Sequence, residues 1–163
     1  MKKTKLDAYN RKILTVLHKE ADLSNVDLAE RVGLSPSACL QRTKALKEAG
    51  YFKGFVVELD LDEICENVIA YLEFKLENNT APVRRRLEKE IADVPEFMDC
   101  VRVTGDYDYI CFTCSRDIAD LNRAVDEFCA IEELGIVKTN IRIILERAKW
   151  MLGYPLHKLD WKE

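Results

Sequence analysis

Apolar residues recur at helical spacing in three short stretches of the N-terminal third of the chain. The first predicted helix begins after Asp7, whose carboxylate is a suitable N-cap, and the second begins after Ser24 for the same reason. Gly33 ends the second helix because glycine tolerates the positive φ of a tight exit, and Ser35-Pro36 starts a third helix. Three helices with a glycine-containing turn before the last predict a helix-turn-helix.

The third predicted helix has two different faces. Cys39, Thr43 and Leu46 should face inward. The opposite side is left with Ser37, Gln41 and Lys44 and has no apolar residue among them. A polar face on the second helix of a helix-turn-helix suits entry into the major groove of DNA. The alternative is a solvated three-helix domain without such a partner.

The segment after the third helix is aromatic and β-prone. Residues 51–57 predict a small wing or connecting strand, with Lys53 near the DNA backbone. Charge is uneven along the chain: residues 1–57 hold eleven Lys/Arg against six Asp/Glu, or +5, and residues 58–163 hold fourteen against twenty-three, or −9. A basic front and an acidic back predict two modules with different partners, although the net charge is −4.

From residue 68 the apolar positions alternate with a period of two, which predicts a strand. A helix follows, then two strands at about Met98–Thr104 and Tyr107–Cys114, joined by the turn Gly105-Asp106. A second helix and a last strand after Gly135 complete the order βαββαβ. This order predicts a ferredoxin-like fold, an antiparallel sheet with both helices on one face.

The other face of this sheet should be uncovered and apolar. The residues expected there are Ile69, Tyr71, Tyr107, Tyr109 and Ile144 or their neighbours. A contiguous apolar patch is unfavourable in water, so we expect a second copy of the chain to cover it. The resulting homodimer would present two recognition helices to a two-fold-related DNA site.

Composition excludes several classes of protein. With 163 residues, 48% of them hydrophobic and 33% charged, the chain can fill the core of one ordinary or two small domains. This composition is unlike that of a disordered or collagen-like chain. No apolar stretch approaches the ~20 residues of a membrane-spanning helix, and no signal region follows the Lys-rich start. We therefore expect a cytoplasmic protein that does not bind membranes.

Six cysteines are present, and reduced thiols are expected in a cytosol. The one close pair, Cys111 and Cys114, lies in a predicted strand, where the two sulfurs would point to opposite faces. Small buried apolar residues are therefore favoured over a metal or redox site.

Both halves of the chain match the pattern of one family. The longest matches are Leu28–Ser37 and the glycine-acid-aromatic-acid turn within Val103–Tyr109. Shorter matches are Leu6-Asp7, Arg11–Leu14, Cys39–Arg42, Leu46 and Ala49-Gly50. With both modules in the right order, the chain resembles the Lrp/AsnC family of bacterial and archaeal transcription regulators, also called feast/famine regulators.

The resemblance implies an α+β chain in three parts: a winged helix-turn-helix DNA-binding domain with its connecting strand at residues 1–60, a ferredoxin-like ligand-binding and oligomerisation domain at residues 61–150, and a C-terminal tail at residues 151–163. It implies a homodimer, often associated further into an octamer as a tetramer of dimers. Such proteins bind double-stranded promoter DNA and respond to a small effector, usually an amino acid, in a cleft between subunits. No catalytic residue, metal or cofactor is expected.

The resemblance also assigns site residues by position. The residues expected to contact DNA are Ser35, Pro36, Ser37, Ala38, Gln41, Arg42, Lys44 and, on the predicted wing, Lys53. The residues expected to contact the effector are Thr104, Gly105, Asp106, Tyr107, Asp108 and Thr139. On the helical wheel Arg42 lies near the buried flank, so we expect it to reach a phosphate or to brace the motif. A tight hairpin with solvated acids is the alternative interpretation of the effector turn.

Two departures from the family pattern stand out. Asn10 stands where an Asp is common, which we interpret as a change in helix capping. Ile141 stands where many relatives carry a second Thr, which leaves the identity of the effector open.

An enzyme on the same architecture is the alternative function, because siroheme decarboxylases resemble this family in both modules. Such an enzyme would need His or Arg side chains near a tetrapyrrole. His18 and His157 lie outside the core of the predicted effector domain, and neither has a second His or a paired carboxylate nearby in the sequence. We therefore do not expect an enzyme. A ligand-binding subunit that lacks a DNA-binding module is contradicted by the intact front half.

Overall fold

The computed structural model describes residues 4–149 and 153–162, so Met151, Leu152 and Glu163 of the predicted tail, and Trp150 before it, lie outside the described residues. The chain divides into two compact units, one formed by Met1–Glu58 with Lys149–Glu163 and the other by Leu59–Ala148. Within the described residues, no helix has both the length and the apolar character needed to cross a bilayer.

The described part of the first unit contains three α-helices, α1 (Ala8–Lys19), α2 (Asn25–Val32) and α3 (Pro36–Glu48), and a 3-10 turn at Leu156–Lys158. Each α-helix begins at the predicted cap, since the side chains of Asp7, Ser24 and Ser35 accept hydrogen bonds from backbone N–H groups in the first turn. Gly33 adopts a φ of 76° at the end of α2, which a residue with a Cβ would adopt only at a cost. The helix-turn-helix prediction is confirmed.

One small apolar cluster holds these helices together. Its buried members are Ile13, Leu17, Leu28, Ala29, Val32, Cys39 and Leu46. Each of the three helices contributes, as the helical spacing of apolar residues predicts.

The predicted wing strand is absent from the described chain. Residues 51–60 form neither helix nor strand, and Phe55, Val56 and Val57 are exposed, Val56 by 89%. A β-prone segment forms a strand only where another strand supplies hydrogen-bond partners, and this single chain pairs none with it. The prediction of a strand here is therefore wrong for the single chain.

The second unit is a four-stranded antiparallel sheet with helices, and the ferredoxin-like prediction is confirmed. Its elements are α4 (Leu61–Ile64), β1 (Val68–Leu76), α5 (Ala81–Ala92), β2 (Phe97–Arg102), β3 (Tyr109–Ser115), α6 (Ile118–Cys129) and β4 (Ile136–Ile143). The strands are ordered β2-β3-β1-β4. The short helix α4 has too few residues to leave a periodic signal in the sequence.

The core of this unit lies between one face of the sheet and the helices α5 and α6. Leu72 and Phe74 of β1 pack there with Leu87 of α5 and with Leu121 and Phe128 of α6. Alternation along each strand sends the intervening residues to the other face, called here the open face.

Tyr109 does not lie on the open face, contrary to the sequence-based expectation. It pairs with Phe74 across β1 and β3, is buried among the core residues, and its hydroxyl donates a hydrogen bond of 2.8 Å to Glu88. Burial and the Glu88 carboxylate raise the pKa of Tyr109. The neighbouring residues Ile110 and Phe112 occupy the open face instead.

The described part of the tail packs on helix α1 of the first unit. The rings of Tyr154 and His18 stack with centroids 5.1 Å apart, and the backbone N–H of Tyr154 donates to His18 Nε2. The guanidinium of Arg11 lies 5.7 Å from the ring centroid of Trp161. Gly153 permits this approach, because a Cβ there would lie 2.7 Å from His18 Nε2.

Candidate DNA-binding surface and effector cavity

The outer face of α3 carries the predicted polar side chains. Ser37, Gln41 and Lys44 are all exposed, at the spacing that places them along one side of the helix. Leu40 is also 45% exposed beside them, whereas the sequence pattern predicts only polar side chains on this face. The candidate DNA-binding surface is thus polar with one apolar side chain.

The start of α3 is fixed by hydrogen bonds on both sides of the turn. Ser35 Oγ accepts from the N–H of Ala38 over 3.3 Å and lies 3.3 Å from Ser37 Oγ. The Asn25 amide, at the first position of α2, donates to the carbonyl of Pro36 over 2.9 Å. This link between the starts of α2 and α3 holds the angle at which α3 is presented.

Arg42 braces the first unit. Its guanidinium donates to Asp7 over 2.8 Å and to the Asn10 side chain over 3.0 Å, and lies 5.4 Å from the centroid of the Tyr9 ring. The N–H of Asn10 and then the Arg42 guanidinium lower the pKa of Asp7, against the effect of partial burial. Of the two roles that the sequence left open for Arg42, these contacts fit the structural one.

Asn10 is part of this network, so it does more than change the capping of a helix. It is only 3% exposed, and its amide donates to the carbonyl of Lys5 over 2.7 Å while its oxygen accepts from Arg42. The helix cap itself is Asp7. The interpretation of Asn10 as a capping change is therefore incomplete, because its side chain joins the chain start to α3.

The remaining predicted DNA contacts differ in exposure. Pro36 is exposed in the first turn of α3 and Ala38 is half-buried. Lys53 is exposed within residues 51–60, where no strand positions it.

An open cavity of about 740 Å³ lies in the second unit beside the β2–β3 turn. It is lined by Glu73, Arg102, Val103, Thr104, Asp106, Tyr107, Ile110 and Arg142. Three of the predicted effector residues, Thr104, Asp106 and Tyr107, are therefore brought together. Gly105 lies between them with a φ of 119°, which shapes the turn without adding a side chain.

Asp108 takes part in a different set of contacts. Its carboxylate accepts hydrogen bonds from the N–H of Leu76 over 2.9 Å and from the Asn79 amide over 2.6 Å, and Lys75 Nζ lies 3.6 Å away. Burial by itself raises the pKa of Asp108, but these donors outweigh it and hold the pKa below its ordinary value. Asp108 is thus committed to holding the turn on β1, and it does not line the cavity.

Thr139 also lies away from the cavity. It pairs with Phe74 across β4 and β1, so its side chain is on the helix-covered side of the sheet, whereas Glu73 and Asn140 form the next pair on the open face. Ile141, two residues further on, packs against the core on the same side as Thr139. The structure does not bring Thr139 together with the other predicted effector residues.

Glu73, Arg102 and Arg142 are the charged cavity residues that sequence reasoning missed. Arg142 Nε donates to Glu73 over 3.0 Å, and the Asn140 amide also donates to this carboxylate. The Asn140 hydrogen bond and the Arg142 guanidinium lower the pKa of Glu73, against its burial. For Glu73, the available signal was a charged residue at an alternating position of β1, in the series that begins with Ile69 and Tyr71.

The wall of the cavity carries charges of both signs. Glu73 and Asp106 contribute carboxylates, and Arg102 and Arg142 contribute guanidinium groups. Tyr107 adds an aromatic ring that lies 5.0 Å from Lys138 Nζ. Such a wall can accept hydrogen bonds from an ammonium group and donate them to a carboxylate.

No group of three or more His, Cys, Asp and Glu side chains among the described residues is arranged to hold a metal ion. Cys111 and Cys114 point to opposite faces of β3, as predicted for a strand.

Two family models match the chain. Residues 6–53 match a winged helix-turn-helix DNA-binding model, and residues 69–150 match an Lrp/AsnC ligand binding domain. These ranges coincide with the two regions in which the surface of α3 and the cavity were found.

Characterised relatives and solved structures agree with these matches. The chain is 28% identical over 144 residues to the leucine-responsive regulatory proteins of Klebsiella pneumoniae and Escherichia coli, which spans 88% of this chain and 87% of each relative. A Neisseria meningitidis transcriptional regulator solved as a complex with L-Met has a TM-score of 0.83 at 28% identity, covering 95% of this chain and 100% of that one. An AsnC family regulator from Agrobacterium tumefaciens has a TM-score of 0.81 at 26% identity, covering 93% and 97%.

Proposed function

The chain belongs to the Lrp/AsnC family, and on that premise we propose that it is a sequence-specific transcription regulator. In this proposal it binds promoter DNA through α3 and responds to an amino acid held in the cavity beside the β2–β3 turn. The observation that carries the effector half of this proposal is the presence of carboxylates and guanidinium groups in the wall of one cavity. The DNA-binding half rests on the exposed polar face of α3 in a basic unit.

The DNA-binding proposal assigns different tasks to different side chains. Gln41 and Lys44 reach base edges or phosphates from the exposed face, while Ser35 and Ser37 lie at the start of α3, where backbone N–H groups suit a phosphate. Arg42 keeps its contacts with Asp7 and Asn10 and holds α3 against α1. Lys53 contributes positive charge to the same unit in this proposal.

The effector proposal follows from charge complementarity. Free amino acids carry an ammonium group and a carboxylate on one carbon, and the cavity offers Asp106 and Glu73 to the first and Arg102 and Arg142 to the second. Ile110 and Tyr107 provide apolar and aromatic surface for a side chain. The complex of the Neisseria relative with L-Met supports an amino acid as the class of ligand.

A homodimer explains the apolar surface of the single chain. Ile69, Tyr71, Ile110 and Phe112 lie on the open face, and Tyr71 remains 44% exposed. A second copy would cover this face, and residues 51–60 would gain a partner strand from the other chain. We propose the homodimer as the DNA-binding form, with an octamer as its further association and the cytoplasm as its location.

Regulation is favoured over catalysis by the relatives, whose names describe transcription regulators. His18, one of the two histidines, is occupied by its contacts with Tyr154 in the first unit. The proposal therefore assigns no catalytic residue.

A ligand screen tests this function. The twenty amino acids are added singly to the full chain and the midpoint of thermal unfolding is measured, because a ligand that binds only the folded form raises stability by RT ln(1 + [L]/Kd). We expect one or a few amino acids to raise the midpoint and to change the affinity for the DNA upstream of the protein's own gene. The proposal fails if no amino acid has either effect and no genomic fragment is bound at low ionic strength.

A further inference from the structure

Two cysteine side chains meet on neighbouring strands of the second unit. Cys100 of β2 and Cys111 of β3 are directly opposite each other in the strand register. The Cys111 thiol donates to Cys100 Sγ over 2.9 Å. Directly opposite residues in antiparallel strands have Cα atoms roughly 4.5–5.5 Å apart, within the range that a disulfide spans. The pair can therefore be bridged without moving either strand.

Only one of the two sulfurs is accessible. Cys111 is fully buried in the core, whereas Cys100 is half-buried and lines a cavity of about 350 Å³ at the edge of the sheet. Glu88, Arg102 and Tyr109 also line this cavity, which differs from the proposed effector cavity. A small polar oxidant entering here reaches Cys100 before Cys111.

We propose that Cys100 and Cys111 form a reversible disulfide when the protein meets hydrogen peroxide. The Cys100 thiolate attacks one peroxide oxygen, the O–O bond breaks, and Cys100 becomes a sulfenic acid while the second oxygen leaves as hydroxide and takes up a proton to form water. Cys111 sulfur then attacks the Cys100 sulfur, the S–O bond breaks, and the hydroxyl leaves as water with the Cys111 proton. Two thiols are oxidised by two electrons and one peroxide is reduced to two waters.

The order of these steps follows from the surroundings of each sulfur. The hydrogen bond to Cys100 and burial raise the pKa of the Cys111 thiol, so Cys111 is the poorer first nucleophile. It lies, however, in contact with the sulfur that a peroxide would modify. Cys100 is therefore the reacting cysteine, and Cys111 is the one that closes the disulfide.

Peptide mapping of the full chain tests this proposal. Trypsin cleaves after Arg102, between the two cysteines, so residues 90–102 carry Cys100 and residues 103–116 carry Cys111 and Cys114. After mild treatment with hydrogen peroxide and alkylation of free thiols, we expect these peptides to be linked, the intact mass to fall by about 2 Da, and four of the six cysteines to be alkylated. Dithiothreitol should restore all six.

Matched variants identify the sulfurs. The link should be lost in Cys100→Ser and in Cys111→Ser, and kept in Cys114→Ser, whose changed side chain lies on the opposite face of the same strand. If Cys111→Ser fails to fold, fragmentation of the linked wild-type peptide makes the same assignment. The proposal is overturned if the wild type forms no link at a dose that oxidises the exposed Cys65, if the link runs to Cys114, or if Cys100 gains about 32 Da as a sulfinic acid instead.

Discussion

The carboxylate of Asp108 accepts a hydrogen bond of 2.9 Å from the backbone N–H of Leu76, at the point where the pairing of β1 with β4 shifts register. The N–H of Asp108 in turn donates to the carbonyl of Phe74 over 2.8 Å. These two bonds attach the β2–β3 turn to β1. Because this turn also forms part of the proposed effector cavity, Asp108 supports the cavity without lining it.

Acid should weaken this attachment. Since the pKa of Asp108 is lower in the folded chain than in the unfolded chain, its ionised form stabilises the fold above the ordinary carboxyl pKa of about 4, and this stability is lost as pH falls through the folded value. We expect Asp108→Asn to cost about 1–3 kcal/mol of unfolding free energy at pH 7, and less at about pH 3. Urea denaturation followed by circular dichroism at both pH values measures the difference. An equal cost at both would contradict this role.

Removal of the Arg42 side chain should destabilise the first unit. The ion pair between Arg42 and Asp7 is partly exposed to solvent, so it contributes at most about 1 kcal/mol to the unfolding free energy. Arg42→Ala also leaves the buried side-chain oxygen of Asn10 without its hydrogen-bond donor. We expect a loss of about 1–3 kcal/mol in unfolding free energy, measured by urea denaturation. Lys44→Ala is the matched control on the exposed face of the same helix, and it should change stability by less than about 0.5 kcal/mol. Equal effects of the two variants would argue against the bracing role.

DNA binding should depend on the exposed face of α3. Lys44→Ala and Gln41→Ala should each weaken binding to the upstream DNA, measured by fluorescence anisotropy, while Lys12→Ala on the exposed surface of α1 should leave it unchanged. The slope of log affinity against log salt concentration is negative. Its magnitude should be smaller by about 0.9 in Lys44→Ala if this lysine neutralises one phosphate. An unchanged affinity in both α3 variants would remove α3 from the interface.

Effector affinity should depend on the charged cavity residues. For the amino acid found in the screen, Arg142→Gln and Asp106→Asn should each raise the Kd by about tenfold or more, because a charge-assisted hydrogen bond is worth about 1.5–3 kcal/mol. Glu132→Gln, an exposed acidic residue outside the cavity, is the matched control. Isothermal titration calorimetry measures all three variants. Wild-type affinity in both cavity variants would place the ligand elsewhere.

The helices and most strands could be predicted because their signals are local. A cap such as Ser35 and an alternating strand such as β1 are visible in a few consecutive residues. The strand predicted near residues 51–57 is not formed in the single chain, because a strand also needs a partner and no local pattern there reveals what supplies it.

The site was harder to predict because it depends on register between strands. Tyr109 lies on the face opposite to the predicted one, since a shift of one residue moves a strand side chain to the opposite face. Thr139 lies on the helix-covered side of β4, away from the cavity. Glu73 and Arg142 are far apart in sequence and meet only when β1 pairs with β4. Pairing of this kind is not encoded in either strand alone.

The exposure of Leu40 has a consequence for the choice of target sequence. In the major groove, the C5-methyl group of thymine is the one apolar group that a base pair presents, and an aliphatic side chain is its natural contact. With α3 in the groove, Leu40 would favour thymine over cytosine at the step it faces, while its polar neighbours read hydrogen-bonding edges. In a homodimer, each protomer would place one Leu40 against one half of a palindromic operator. Both half-sites would then be selective for an A·T pair at the same position.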